Sequence, residues 1–222
     1  MLPWKHLASA IVPGDGGEMR LYQRGSEFSI RVGSYELMNS RVHGSEDALA
    51  EYACERLAHR DRARVLIGGL GMGFTLAAVL SRIGSHAAVV VAELVPEVVI
   101  WNREEMGAIN GDALEDPRVA IVDAHVVSLI RSAHGDYVAI LLDVDNGPAG
   151  LTSAANDRLY SVAGLRAAHA ALRPGGILAV WSSGPDAAFT KRFESAGFTV
   201  EVLGARGHGQ SGGRYVIWVG VG

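Results

Sequence analysis

The stretch Val65-Leu66-Ile67-Gly68-Gly69-Leu70-Gly71-Met72-Gly73 decides how this chain folds. Three apolar residues run into four glycines, and the Phe74–Ile83 segment that follows is mostly apolar and alanine-rich. That is the pattern of a buried strand, a tight turn and a helix. Gly69, Gly71 and Gly73 alternate as Gly-x-Gly-x-Gly. Such a turn calls for glycine because the backbone takes positive φ and a ligand has to approach with no Cβ in the way. A pyrophosphate-binding turn spaces its glycines as Gly-x-Gly-x-x-Gly. Here the third glycine comes one residue earlier, which suits an adenosyl ligand without phosphates.

Downstream, strand and helix patterns alternate. Ala87–Ala92, nearly all valine and alanine, reads as a strand buried on both faces and runs into Glu93. Pro96 suits the first turn of a helix over Glu97–Arg103. Arg118–Val122 is a strand ending in Asp123-Ala124, and Val126–Arg131 a short helix. Tyr137–Leu142 is a strand ending in Asp143, followed by a loop over Val144–Asn156. A helix is expected over Asp157–Leu172, stopped by Arg173-Pro174-Gly175-Gly176, then a strand over Ile177–Trp181. A last helix, Ala187–Ala196, precedes two strands, Phe198–Leu203 and Tyr215–Val219, with a Gly-rich loop at 204–213 between them. This alternation predicts a Rossmann-like, doubly wound α/β fold: a mostly parallel seven-stranded sheet with an antiparallel C-terminal strand.

Upstream, the style changes. Glu18–Tyr22 and Phe28–Val32 alternate apolar and polar residues, and Tyr35–Met38 continues in kind, with glycines between. Residues 1–42 therefore read as a small N-terminal segment of two or three β-strands in hairpins, and 43–222 as the main domain. Ser45-Glu46-Asp47 opens a helix, the serine as a capping hydroxyl ahead of two acids, ending near His59.

Bulk properties narrow the classes. With 49% hydrophobic and 20% charged residues the chain can bury a full core. A net charge of −4 without a basic stripe argues against a nucleic-acid partner. The longest apolar runs fall short of the roughly 20 residues that span a bilayer, so no membrane segment is expected. No signal peptide is read at the N-terminus, and a soluble cytoplasmic protein follows as the expectation. The single cysteine, Cys54, excludes an internal disulfide, and the eight histidines show no metal-ligand spacing, so no metal is expected. Exposed hairpin edges leave room for a homodimer.

The chemistry is expected at the carboxyl ends of the parallel strands. There Glu93, Asp123 and Asp143 close three strands on the rim that carries the glycine turn. A carboxylate after the second strand can accept both ribose hydroxyls. Asp123 beside Ala124 can accept from an adenine amino group. Asp143 would then lie near the reacting end. Each also has a plain structural reading, as a turn residue or as a carboxylate at a helix start, but four such features on one rim favour a ligand site. Trp181, at a strand end, is within reach of that site, although packing is the commoner role of a tryptophan.

These motifs resemble those of the class I S-adenosylmethionine-dependent transferases, and within them the spermidine synthase-like proteins. Ile67–Phe74 is similar to the family's nucleotide loop, Glu93 to its ribose acid and Asp123-Ala124 to its adenine motif. Leu141–Pro148 resembles the catalytic-aspartate loop of spermidine synthases, and Leu159-Tyr160-Ser161 and Leu172–Gly176 also look like that family. The β segment followed by His43-Gly44-Ser45-Glu46 is similar to its hairpin domain and the helix after it. The resemblance implies S-adenosylmethionine or decarboxylated S-adenosylmethionine as co-substrate, bound by Gly69, Leu70, Gly71, Met72, Gly73, Glu93, Leu94, Asp123, Ala124 and Asp143. It implies Asp143 as the catalytic residue and a small-molecule acceptor, an amine among the candidates, beside Glu46, Asp145, Asn146 and Tyr160. Polyamine aminopropyltransferases carry an aspartate in the glycine loop where Met72 stands, and a second aspartate in the catalytic loop where Asn146 stands. These departures tilt the expectation toward methyl transfer, with aminopropyl transfer to a polyamine, or a non-catalytic adenosyl-binding module, as the alternatives.

Overall fold

The computed structural model describes residues 2–14, 17–57, 62–144, 147–149, 158–208 and 211–222. The first four strands, β1 (Lys5–Ile11), β2 (Glu18–Arg24), β3 (Glu27–Val32) and β4 (Tyr35–Asn39), form an antiparallel sheet in that order. β1 is the strand that the sequence pattern does not announce. It buries Ala10 alone, so it carries almost no apolar alternation.

Helix α1 (Gly44–Glu55) follows. Ser45 does not cap it as expected. It is buried, and its hydroxyl donates to the Glu46 carboxylate. Then come β5 (Arg64–Gly68), α2 (Phe74–Leu80), β6 (Ala88–Glu93), α3 (Pro96–Glu104), β7 (Val119–Asp123), α4 (Val126–Ser132) and β8 (Tyr137–Leu142). α5 spans Val162–Ala171. Arg158 and Leu159 are also helical, but the expected helix is interrupted at Tyr160–Ser161, and Ser161 caps its continuation, its hydroxyl accepting from the Gly164 amide. β9 (Leu172–Ser182) absorbs Arg173–Gly176 as an irregularity in its pairing with β8 rather than following it. α6 (Ala187–Ser195) leads to β10 (Thr199–His208) and β11 (Ser211–Val221). The two final strands extend through most of the expected Gly-rich loop. Gly207 and Gly213 are there to let the Tyr215 ring lie against the backbone; a Cβ on either would sit about 3 Å from that ring.

The second sheet has seven strands in the order β10-β11-β9-β8-β5-β6-β7, parallel from β9 to β7, with β11 antiparallel to both its neighbours. Alternation along each strand sorts the core onto two faces. Val65 and Ile67 pack with Leu49 of α1, Val79 of α2 and Trp101 of α3. Leu66 packs with Ile130 of α4, Leu165 of α5 and Phe189 of α6. The first face also takes Leu21, Phe28 and Ile30 of the antiparallel sheet into the same core. The chain runs outward from β5 through β6 to β7, then returns to the other side of β5 with β8, so the crevice where ligands bind in such sheets opens between β5 and β8. No helix among the described residues is long and apolar enough to cross a membrane.

Candidate active site

The glycine turn opens at that crevice. The Gly69 amide donates to the Ala92 carbonyl of β6, and the Asp143 amide donates to the Gly68 carbonyl, so both neighbouring strands hold the turn's first residues. Gly69 has φ +85° and Gly73 φ +80°. A Cβ on Gly69 would lie 2.5 Å from the Asp143 carbonyl oxygen, so the site requires glycine there on both counts.

A cavity of about 490 Å³ lies over this turn. Its walls include Gly69–Met72, Phe74, Thr75, Glu93, Leu94, Ala124, Glu46 and Asp143. The antiparallel sheet closes one side with Met19, Ile30, Leu37 and Met38, while Trp181 and Tyr215 close another.

Glu93 is buried. One oxygen accepts from the Leu70 amide at 2.8 Å, the other from the Leu94 and Val95 amides at 2.9 Å each. Burial raises its pKa, and those amides oppose the rise by stabilising the charged form. The carboxylate thus ties the glycine turn to the end of β6 while lining the cavity.

Asp143 and Glu46 form a second carboxylate set on the β8 side. Asp143 accepts from the Thr75 hydroxyl at 2.6 Å, and burial raises its pKa against that bond. Glu46 is pushed up to about 7, by burial first and then by the Asp143 charge. Trp181 and Tyr215 lie against each other on the same cavity wall, ring centroids 5.3 Å apart and planes tilted by 30°. Burial, and then the Glu46 charge, raises the Tyr215 phenol. Two acids whose ionisation burial disfavours, in one cavity, make a place for a cation and for a proton.

Of the residues singled out from the sequence, Gly69, Leu70, Gly71, Met72, Glu93, Leu94, Ala124, Asp143 and Glu46 line the cavity. Gly73 lies behind the wall as the left-handed N-cap of α2. Asp123 is exposed, outside the lining, and pairs in register with Glu93. His125, not Asp123, caps α4, its ring nitrogen accepting from the Val127 amide. Tyr160 is buried with its ring edge-on to Phe189, outside the lining. Asp145 and Asn146 lie outside the described residues. Thr75, Tyr215 and Met38 were not legible as site residues. Thr75 gave the only local signal, a hydroxyl in the first turn of an otherwise apolar helix. Among the described residues no group of three or more His, Cys, Asp or Glu side chains is placed to hold a metal ion.

Comparison with known proteins agrees with this architecture. No family model matches the chain. It is 34% identical over 128 residues to polyamine aminopropyltransferase 2 of Pseudomonas aeruginosa, covering 56% of this chain and 34% of that protein. It is 29% identical over 189 residues to polyamine aminopropyltransferase 1 of Streptomyces coelicolor, covering 84% of this chain and 32% of that protein. The chain spans about one third of the length of the curated relatives it matches. Among solved structures, spermidine synthase from Thermotoga maritima superposes with a TM-score of 0.78 at 17% identity, over 98% of this chain and 72% of that one. A spermidine synthase in complex with the transition-state analogue AdoDATO gives 0.76 at 16% identity, over 98% and 72%. The fold is spermidine synthase-like.

Proposed function

We propose that the chain is a transferase that binds an adenosyl sulfonium, decarboxylated S-adenosylmethionine, and moves its aminopropyl group to a small amine. The carboxylate pair Glu46–Asp143 in the cavity carries the reading, because paired half-buried acids suit a cationic acceptor. The names of the curated relatives also favour aminopropyl over methyl transfer, against the tilt read from Met72 and Asn146.

In this reading the glycine turn, Leu94 and Ala124 receive the adenosyl moiety, Glu93 accepts from the ribose, and Asp123 is a rim contact for the adenine. The acceptor nitrogen attacks the carbon next to sulfur. The new C–N bond forms as the C–S bond breaks, and the electron pair leaves with sulfur, giving neutral methylthioadenosine. The proton released by the nitrogen passes to Asp143, held for that task by Thr75. Positioning and electrostatics supply the rest of the rate. Asp145, Asn146 and Tyr160 remain proposed neighbours of the acceptor. Methyl transfer is the second reading, favoured by Met72 at the place where polyamine synthases carry an acid.

The test supplies decarboxylated S-adenosylmethionine with putrescine and, separately, S-adenosylmethionine with the same amine. Methylthioadenosine in the first reaction supports the proposal. S-adenosylhomocysteine in the second, without methylthioadenosine in the first, replaces it with methyl transfer. Binding of the adenosyl compounds without either product leaves a non-catalytic binding module.

A further inference from the structure

Asn102 of α3 and Asn110 beyond it are 1% and 4% exposed and lie outside the cavity lining. Both side-chain amides are fully engaged. Asn102 Nδ2 donates to the Gly71 carbonyl at 2.8 Å and to the Val98 carbonyl at 2.9 Å. Asn110 Nδ2 donates to the Met72 carbonyl at 3.0 Å and to Asn102 Oδ1 at 2.8 Å. Asn110 Oδ1 accepts from the Ala113 amide at 3.3 Å. Turning over the Asn102 amide would set its oxygen against two carbonyls, so the relay has one satisfied orientation.

The partners of this relay are successive peptide groups of the glycine turn. With Glu93 on the Leu70 amide, three buried polar side chains grip Leu70, Gly71 and Met72 in turn. The Gly71 carbonyl is held against α3 and the Met72 carbonyl against the segment that follows it. Gly73 completes the fit: a Cβ there would lie 2.7 Å from Asn110 Nδ2. A turn rich in glycine has many conformations to lose, and an adenosyl ligand would otherwise have to order it on binding.

We infer that Asn102 and Asn110 are positioning residues that pre-set the glycine turn for its ligand; that the ligand is an adenosyl compound rests on the function proposed above. Two variants test this. Asn110→Asp keeps the shape and removes both donors; Asn102→Ala removes the side chain and leaves room for water. Amide hydrogen exchange of the ligand-free protein is read over Leu70–Gly73 and over the strands Arg64–Gly68 and Tyr137–Leu142. The inference expects at least tenfold faster exchange in the turn of either variant that folds, with the strands unchanged. Equal acceleration in turn and strands, or none in the turn, overturns it, because a merely structural role loosens the whole core. Calorimetry with methylthioadenosine is the second arm. The inference expects a dissociation constant at least tenfold weaker in the variants, and an unchanged constant overturns it. If the parent protein itself fails to bind methylthioadenosine, the adenosyl reading falls, and the exchange measurement alone decides the positioning role.

Discussion

On the β6 side of the glycine turn, Glu93 commits both oxygens to three backbone amides, and behind it the asparagine relay holds two carbonyls. On the β8 side, Glu46 and Asp143 accept a hydroxyl each, from Ser45 and Thr75; burial raises the proton affinity of both, and the Asp143 charge raises that of Glu46 further. The first set is a scaffold whose polar groups find their partners inside the fold. The second is left in want of positive charge. A cavity built this way is rigid where a neutral nucleoside would lie and electrostatically incomplete where an amine would react.

The contrast can be broken at either side, and the largest effect is expected on the reactive one. Asp143→Asn keeps the acceptor for Thr75 but removes the base. Turnover measured as methylthioadenosine release should fall about a hundred- to ten-thousand-fold, with the melting temperature no lower than before. A variant that loses stability but keeps turnover would move Asp143 into the scaffold.

Next comes Gly69→Ala. The added Cβ meets the Asp143 carbonyl at 2.5 Å in a left-handed conformation. A cost of about 3 kcal/mol or more is expected in denaturant melts, together with weakened methylthioadenosine binding. Glu93→Gln replaces one accepting oxygen with a donor that faces backbone amides. A loss of about 1–3 kcal/mol is expected, and a melt unchanged from the parent would show that the amides do not need the carboxylate.

The smallest effect is Glu46→Gln, and its sign depends on pH. The folded carboxyl holds its proton to about 7, against 4.5 for the unperturbed group. The protonated form's contribution to stability is therefore complete below about 4.5 and is lost as pH rises through 7. Glutamine, which cannot ionise, should raise the melting temperature of the ligand-free protein by roughly 2–4 °C at pH 8 and leave it unchanged at pH 4. Putrescine titrations should show binding that tightens as pH rises through 7 in the parent and tightens less over that range in the variant.

Much of this was legible because the signal is local. A run such as Val65–Ile67 ending in glycines, or Ala88–Glu93 ending in an acid, states its strand, its turn and its rim residue within ten positions. What was not legible depends on partners far along the chain. The glycines at 207 and 213 look like loop residues until the Tyr215 ring is seen against them. Asn102 and Asn110 look like surface polars on a helix and its exit until the Gly71 and Met72 carbonyls lie opposite them. β1 has too little apolar alternation to announce a strand, and only its pairing with β2 makes it one.

Met38 of β4 sits over the turn so closely that a Cβ on Gly71 would lie 3.1 Å from its sulfur. That strand belongs to a sheet that shares no strand with the one bearing the acids. On the function proposed above, the residues that shape the ligand's pocket and the acids that would do the chemistry thus come from different elements packed into one core. On that reading, substitutions at Met19, Leu37 and Met38 would reshape the wall of the cavity without touching the carboxylates.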